Sequence, residues 1–399
     1  MLCGAVASHG PGGDLGRGRD TQPDPGSLIR EAARGLGFDV VGFARADEPL
    51  TVEHDRYRGF LEAGMHGEMR YLAEHSEVRR RLDTDDILEG ARSVICLGRR
   101  YGRSPDDEAH DPPLARRIAR YARGQDYHKF LRRRLQRLAA FIRRLGSGVH
   151  ARPMCDVEPV LERAWAARAG LGFVGKNGLV ITPGQGSYQL LGEVVTTLAL
   201  PPDTPIAERC GSCTRCLDAC PTGAFAAPFV LDPRRCISYF TIELRGPAPE
   251  EHDAPLGEHL FGCDVCQEVC PFNRTAPPPA SQTAPFRPHG RWARQHLDEL
   301  VATDEAAWRG VSEGTLFRRA TREGMARNAA RVAAATLVRA TATDAERAES
   351  ERALGRAADH PDPSVRALAV RLRAGITPAE LRRSADSPVQ PASSPRRGA

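Results

Sequence analysis

The apolar positions fall into short groups whose spacing changes along the chain, and that spacing predicts the elements. Residues 27–45, SLIREAARGLGFDVVGFAR, show a helical spacing, then a Gly turn, then the strand-like FDVVGFA. A second helical pattern covers 57–73 and is interrupted at Gly64-Met65-His66-Gly67. ARSVICLGRRY at 91–101 is an apolar run of strand length, which predicts a buried strand with Cys96 as an interior thiol. Helical periodicity runs from Leu114 to Leu145. A loop, a helix over 159–169, a Gly loop, a strand at 178–182 and another through 190–200 follow. From Arg291 the pattern is helical throughout, over 291–301, 315–323, 326–340, 344–358 and 363–374.

This order predicts an α+β protein. Residues 1–26 and 377–399 read as disordered tails, 27–203 as an α/β domain and 204–275 as a cysteine-bearing module. Residues 276–376 read as a linker, Pro-rich over 275–288, and a helical domain. HPDPSVRALAVRLRA at 360–374 is similar to the second helix of a HEAT-type pair. One or two such pairs are too few for a free-standing solenoid, so these helices are expected to pack on the rest. No run approaches 18 apolar residues, and 1–26 lack an apolar signal core, so no membrane span and a cytoplasmic location are expected.

Cysteines change the picture. CGSCTRCLDACP at 210–221 is the C-x2-C-x2-C-x3-C-P run that holds 4Fe–4S clusters, in which the fourth thiolate serves the other cluster. Cys210, Cys213 and Cys216 therefore pair with Cys270 of the second block, CDVCQEVCP at 263–271. That block has Leu260 where a further Cys would stand, which leaves Cys220, Cys263 and Cys266 one ligand short. Cys236 is the other Cys in the stretch and is assigned as the fourth. Zinc would not explain Cys-Pro closing both blocks, and disulfides would need an oxidising compartment.

Charge adds a partner. From Arg116 to Arg144 there are eleven basic residues against one acid, Asp126, a density that suits a polyanion although it also suits a solvated helix face. Lys occurs only at 129 and 176 among 56 basic residues, which marks both as candidate site residues. Gly170-Leu-Gly172-Phe-Val-Gly175 follows a predicted helix and opens a strand, the reverse of the dinucleotide fingerprint, so nicotinamide or flavin binding is rejected. Asp156, in a loop ahead of a helix, is the first candidate acid. Its position equally suits an N-cap, and Glu158 and Glu162 are equally placed by spacing. Asp126-Tyr127-His128-Lys129 gathers four polar residues that would otherwise read as a hydrated loop.

RYARGQDYHKFL, DVEPVLERAWAARAGLGFVGKNGLVI, GSYQLLGEVVTTLAL, the cysteine blocks and RRCISYFTIELRG together resemble the epoxyqueuosine reductases, from about Ser27 to Arg274. Phe173, where that family usually has Trp, and Cys155 beside Asp156 depart from its pattern. The resemblance implies an enzyme that reduces epoxyqueuosine to queuosine in the anticodon loop of tRNA. It implies cobalamin held base-off in the N-terminal domain, reduced to cob(I)alamin by two 4Fe–4S clusters. It assigns Asp156 as proton donor, with a pKa expected to be raised. Ser238 and Gly262 become corrin contacts, Lys176 and Asn177 further cofactor contacts. Tyr127, Lys129 and Arg245, with the basic block and helical tail, grip the anticodon arm. An external one-electron donor such as a flavodoxin or ferredoxin, and a monomer, are expected. Two other classes compete: a dehalogenase-like corrinoid reductase for a small molecule, and an electron carrier or structural iron–sulfur protein.

Overall fold

The computed structural model describes residues 24–279 and 284–376. The expected tails lie outside the described residues, apart from Asp24–Gly26, where the expectation is corrected. Helix α1 (Pro25–Gly35) begins there because Asp24 caps it, accepting the Ser27 amide at 3.0 Å, with Pro25 in the first turn.

Strands β1 (Val40–Arg45), β2 (Ser93–Arg100), β3 (Ala151–Met154) and β4 (Gln189–Thr196) form one sheet in the order β1-β2-β4-β3. Every pairing is antiparallel, so the N-terminal part is built on an antiparallel sheet. Every residue of β2 is buried, because both faces are covered. Helix α2 (Thr51–Glu62) precedes β2. On one face helix α3 (Tyr127–Ile142) lays Leu131, Leu135, Leu138 and Ile142, one helical stripe, on Ile95, Leu97 and Val194. On the other, Trp165 of helix α4 (Glu162–Arg168) packs with Val94, Cys96, Met154 and Val195. The strand expected at 178–182 shrinks to Val180–Ile181, paired with Phe173–Val174 in a separate hairpin.

The basic segment is not one helix. It breaks into Pro113–Arg116, a 3-10 turn Arg120–Ala122, and α3. Its first half is internal wiring rather than a polyanion surface. Arg120 meets Glu108 and Glu268 at 2.6 Å each, Arg123 meets Asp111 at 3.2 Å, and Arg117 meets Glu258 at 3.1 Å. Lys129, Arg132, Arg133 and Arg137 are left exposed along α3, and Arg144 just past its end. The expected linker is also partly core: Phe286 is buried, edge-on to Phe130 at 5.5 Å.

Helices α5 (Leu297–Ala302), α6 (Glu305–Ser312), α7 (Arg322–Val338), α8 (Asp344–Ala358) and α9 (Pro363–Ala374) make up the C-terminal part. The helix expected over 315–323 is instead a 3-10 turn (Leu316–Ala320), after which Thr321 caps α7. Trp292 stacks on Phe317 at 4.7 Å, and Phe317 on Phe261 at 5.1 Å, inside a core that also holds Ile118, Leu260 and Leu300. Burying Phe261 and Phe317 is worth about 1.5–3 kcal/mol each. Asn328 of α7, also buried, donates to the Thr241 and Leu260 carbonyls at 2.8 and 3.0 Å. The helices therefore pack on the segment leading into Cys263. Among the described residues, no helix is long and apolar enough to cross a membrane.

Candidate active site

The chain leaves β3 into a tight turn centred on Asp156. Asp156 has φ +64°, and the Val157 amide donates to the Cys155 carbonyl at 2.7 Å, a γ-turn of the rare positive-φ kind. Two carboxylates hold it: Glu158 Oε2 accepts the Cys155 amide at 2.9 Å and Glu162 Oε1 the Asp156 amide at 2.7 Å. Helix α4 starts at Glu162 with Leu161 ahead of it, so Asp156 is not its N-cap.

The Asp156 side chain reaches across to α3. Its Oδ2 lies 2.7 Å from His128 Nε2, and His128 Nδ1 lies 2.7 Å from Asp126 Oδ1. Asp126 caps α3 by accepting the His128 amide at 3.0 Å, and Tyr127 stacks on the imidazole at 4.2 Å. Hydrogen bonds to Asp126 and then Asp156 push His128 up to about 9, against a smaller loss from burial. Asp156 corrects the expectation of a raised acid. Burial pushes its carboxyl up, but the His128 bond and charge, helped by Arg319, hold it below the usual carboxylate value. The proton of this relay therefore sits on the imidazole. Its stabilising ion pairs are complete below the ordinary histidine pKa and are lost as pH rises through about 9.

Further groups converge here. Arg319, just before α7, bonds Glu243 at 2.9 Å and lies over the Tyr71 ring at 4.8 Å. Tyr71 is 43% exposed and Val157 67%, an open apolar rim beside the acid. A cavity of about 180 Å³ under the turn is lined by Tyr127, Asp156, Glu162 and Ser187, below the roughly 300 Å³ at which ligand pockets begin.

The two thiol blocks differ in setting. Gly211, Ser212, Thr214 and Arg215 of the first are exposed, whereas Gly262, Asp264 and Gln267 of the second are buried. Burial pushes the thiol of Cys210 up to about 11 and that of Cys263 to about 12, so iron beside them is what would keep them ionised. Among the described residues, no three His, Cys, Asp or Glu converge as ligands of a single ion would. One thiolate per corner of a cubane needs no such convergence. Lys176 Nζ donates to the Gly211 and Cys213 carbonyls at 2.6 and 3.1 Å, and Asn177 Nδ2 to that of Cys266 at 3.5 Å. Both expected cofactor residues therefore sit on the cluster loops.

Ser238 opens a π-helical turn, Tyr239–Glu243, a form frequent at functional sites. Inside it the Thr241 hydroxyl donates to the Ile237 carbonyl and accepts the Gly262 amide at 2.9 Å. Gly262 has φ +71°, and a Cβ there would lie 2.8 Å from that of Ala119, so only glycine fits. Arg245 is exposed, its amide on Glu68 and its guanidinium on the Ile242 carbonyl. Lys129 is exposed on α3. The structure thus unites Tyr127 with Asp156, Lys176 with Asn177 through the cluster loops, and Ser238 with Gly262 through Thr241. Sequence reasoning assigned no role to His128, although it stood in the polar quartet. It left Glu162 undecided and had no signal for Arg319, which reaches the site from the 3-10 turn ahead of α7.

Two cysteine blocks, with a proton-bearing relay in the same fold, define an iron–sulfur oxidoreductase. Residues 209–273 match the model of the 4Fe-4S double cluster binding domain, and residues 81–157 that of "Epoxyqueuosine reductase QueG, DUF1730". The chain is 43% identical over 307 residues to the epoxyqueuosine reductase of Gloeobacter violaceus, covering 75% of this chain and 93% of that one. It is similar to the crystal structure of an epoxyqueuosine reductase with an epoxyqueuosine-modified tRNA-Tyr stem loop, at TM-score 0.71 and 28% identity, covering 90% and 98% of the two chains. It also resembles a Bacillus subtilis epoxyqueuosine reductase whose catalytic aspartate loop is swung out of the active site, at TM-score 0.67 and 27% identity, covering 87% and 97%. The chain belongs to the epoxyqueuosine reductase family.

Proposed function

We propose that this enzyme reduces epoxyqueuosine to queuosine in the anticodon loop of tRNA. The observation that carries this reading is the family likeness over nearly the whole length of its relatives, one of them solved with a modified tRNA stem loop. The epoxide oxygen leaves as water and a cyclopentene remains, which takes two electrons and two protons. The electrons come from an external one-electron donor such as a flavodoxin or ferredoxin, through the two clusters. Residues 27–203 serve as the cobalamin domain, 204–275 as the cluster module and 276–376 as linker and HEAT-like domain, in a cytoplasmic monomer.

The residues present fit base-off cobalamin. The rim of Tyr71 and Val157 offers apolar surface, and Gly262 lets backbone approach closely. His128 has both ring nitrogens engaged by carboxylates, so it is not a lower ligand. Ser238 and Gly262 would hold the corrin, with Lys176 and Asn177 steadying the cluster loops beneath. When bound, cobalamin supplies a low-valent cobalt able to pass electrons to the epoxide. The chain supplies one of the two protons, and solvent the other: His128 stores the chain's proton, Asp156 hands it on, and Asp126 holds the imidazole in line.

Tyr127, Lys129 and Arg245 with the exposed arginines of α3 are proposed to grip the anticodon arm. Replacing Arg133, Arg137 and Arg144 by Gln should weaken tRNA binding and flatten its salt dependence by a slope of roughly 2–3, with iron content unchanged. Equal affinity and slope across a salt series would reduce that face to a solvated surface. The activity itself is tested by nucleoside analysis of tRNA from cells lacking this chain. Epoxyqueuosine should accumulate, and undiminished queuosine would sink the proposal. A protein that binds no cobalamin would instead be an electron carrier.

A further inference from the structure

Asp156 is seated against its own preference. A γ-turn with positive φ at a non-glycine residue is strained, and persists only where its surroundings hold it. The hold on its amide is the carboxylate of Glu162, the first residue of α4, at 2.7 Å. The helix anchors that carboxylate through Trp165, which is fully buried against the sheet. Glu158 steadies the preceding amide, and His128 orients the side chain. We propose that Glu162 is the positioning residue that seats Asp156 beside His128, and that only its ionised form holds the turn firmly. This rests on the reading of Asp156 as the proton donor.

An ionised carboxylate accepts an amide more strongly than a protonated one does. The groups facing Glu162 are Cys155, Asp156 and Glu158 of the turn, Glu193 of β4, Cys96 of β2, Tyr127 of α3 and Arg163 of its own helix. Glu193 is fully buried with neither carboxyl oxygen bonded, so it stays protonated and adds no charge. Burial pushes Glu162 up to about 7, with the Asp156 charge adding to it and the amide bond and Arg163 opposing. The seat therefore firms as pH rises through about 7, while the relay loses its proton as pH rises through about 9. Turnover should be greatest between these limits, with Glu162 setting the acid limb and His128 the alkaline one.

The test uses the iron-loaded, cobalamin-loaded enzyme with modified tRNA, and separately the imidazole titration of His128 by NMR, assigned with His128→Asn. Glu162→Ala should lower kcat by about a hundredfold, the scale of a small misplacement, and leave KM for tRNA within about twofold. It should also lower the His128 pKa, because Asp156 moves away while Asp126 stays. Glu162→Gln keeps an acceptor oxygen but is fixed in the neutral state, so it should restore only part of the His128 shift and hold kcat below that of the parent, with the acid limb gone. Iron content and thermal unfolding identify a variant that has merely misfolded, in which case Glu162→Gln decides. Parental kcat and His128 titration in Glu162→Ala would overturn the proposal, as would an acid limb that persists in Glu162→Gln. Should Glu162→Ala shift His128 while Asp156→Asn retains full turnover, the seat stands and the acid assignment falls.

Discussion

Asp156→Asn should bind tRNA, keep its iron and lose turnover by about a hundredfold or more, the scale of a positioned proton donor. The structure sharpens why. Asn is nearly the same size and can still meet His128, but it carries no charge and cannot pass a proton between imidazole and substrate. The His128 pKa should fall as well, because one of its two carboxylate partners is gone. The variant should therefore show a lower alkaline limit on whatever activity remains. Single-turnover reduction of modified tRNA across pH 6–10 checks both statements. Unchanged turnover with an unchanged pH profile would move the proton to Glu158 or to a water.

The second large effect concerns iron. Parent protein should hold about eight irons, and Cys236→Ala should hold about four and turn over negligibly. Cys236 is the proposed fourth ligand of the second cluster, because Leu260 stands where the block would otherwise carry one. On the same assignment that cluster would take its remaining thiols from Cys220 and from the second block at Cys263 and Cys266, so its loss should cut the path from the exposed first block. Cys96→Ala and Cys155→Ala should leave iron unchanged, since both thiols lie in the sheet cores. Iron analysis with electron paramagnetic resonance of the reduced protein distinguishes one cluster from two. A full iron count in Cys236→Ala would refute the assignment.

What could be read beforehand follows from the range of each interaction. Spacing along the chain announced the cysteine blocks, β2 and the stripe on α3, because ligand motifs and amphipathic faces are local. The internal pairing of the basic segment's first half was hidden, since Arg120 and Arg123 find their carboxylates only after Glu108, Asp111 and Glu268 have been brought close. The Asp156 pKa was misjudged for a similar reason. His128 lies 28 residues away in sequence, and its charge decides the sign. The quartet at 126–129 showed polar residues, but not that an N-cap would aim the imidazole at the turn.

The buried amide of Asn328 has a meaning for biosynthesis. It satisfies the carbonyls of Thr241 and Leu260, which frame the approach to Cys263, yet it is made more than fifty residues after the last ligand thiol. A growing chain thus displays the proposed ligand thiols before the helix that braces the approach to Cys263 exists. Iron delivered during translation would meet a loose, promiscuous set of ligands. The order of assembly that the architecture favours is helix first and metal second.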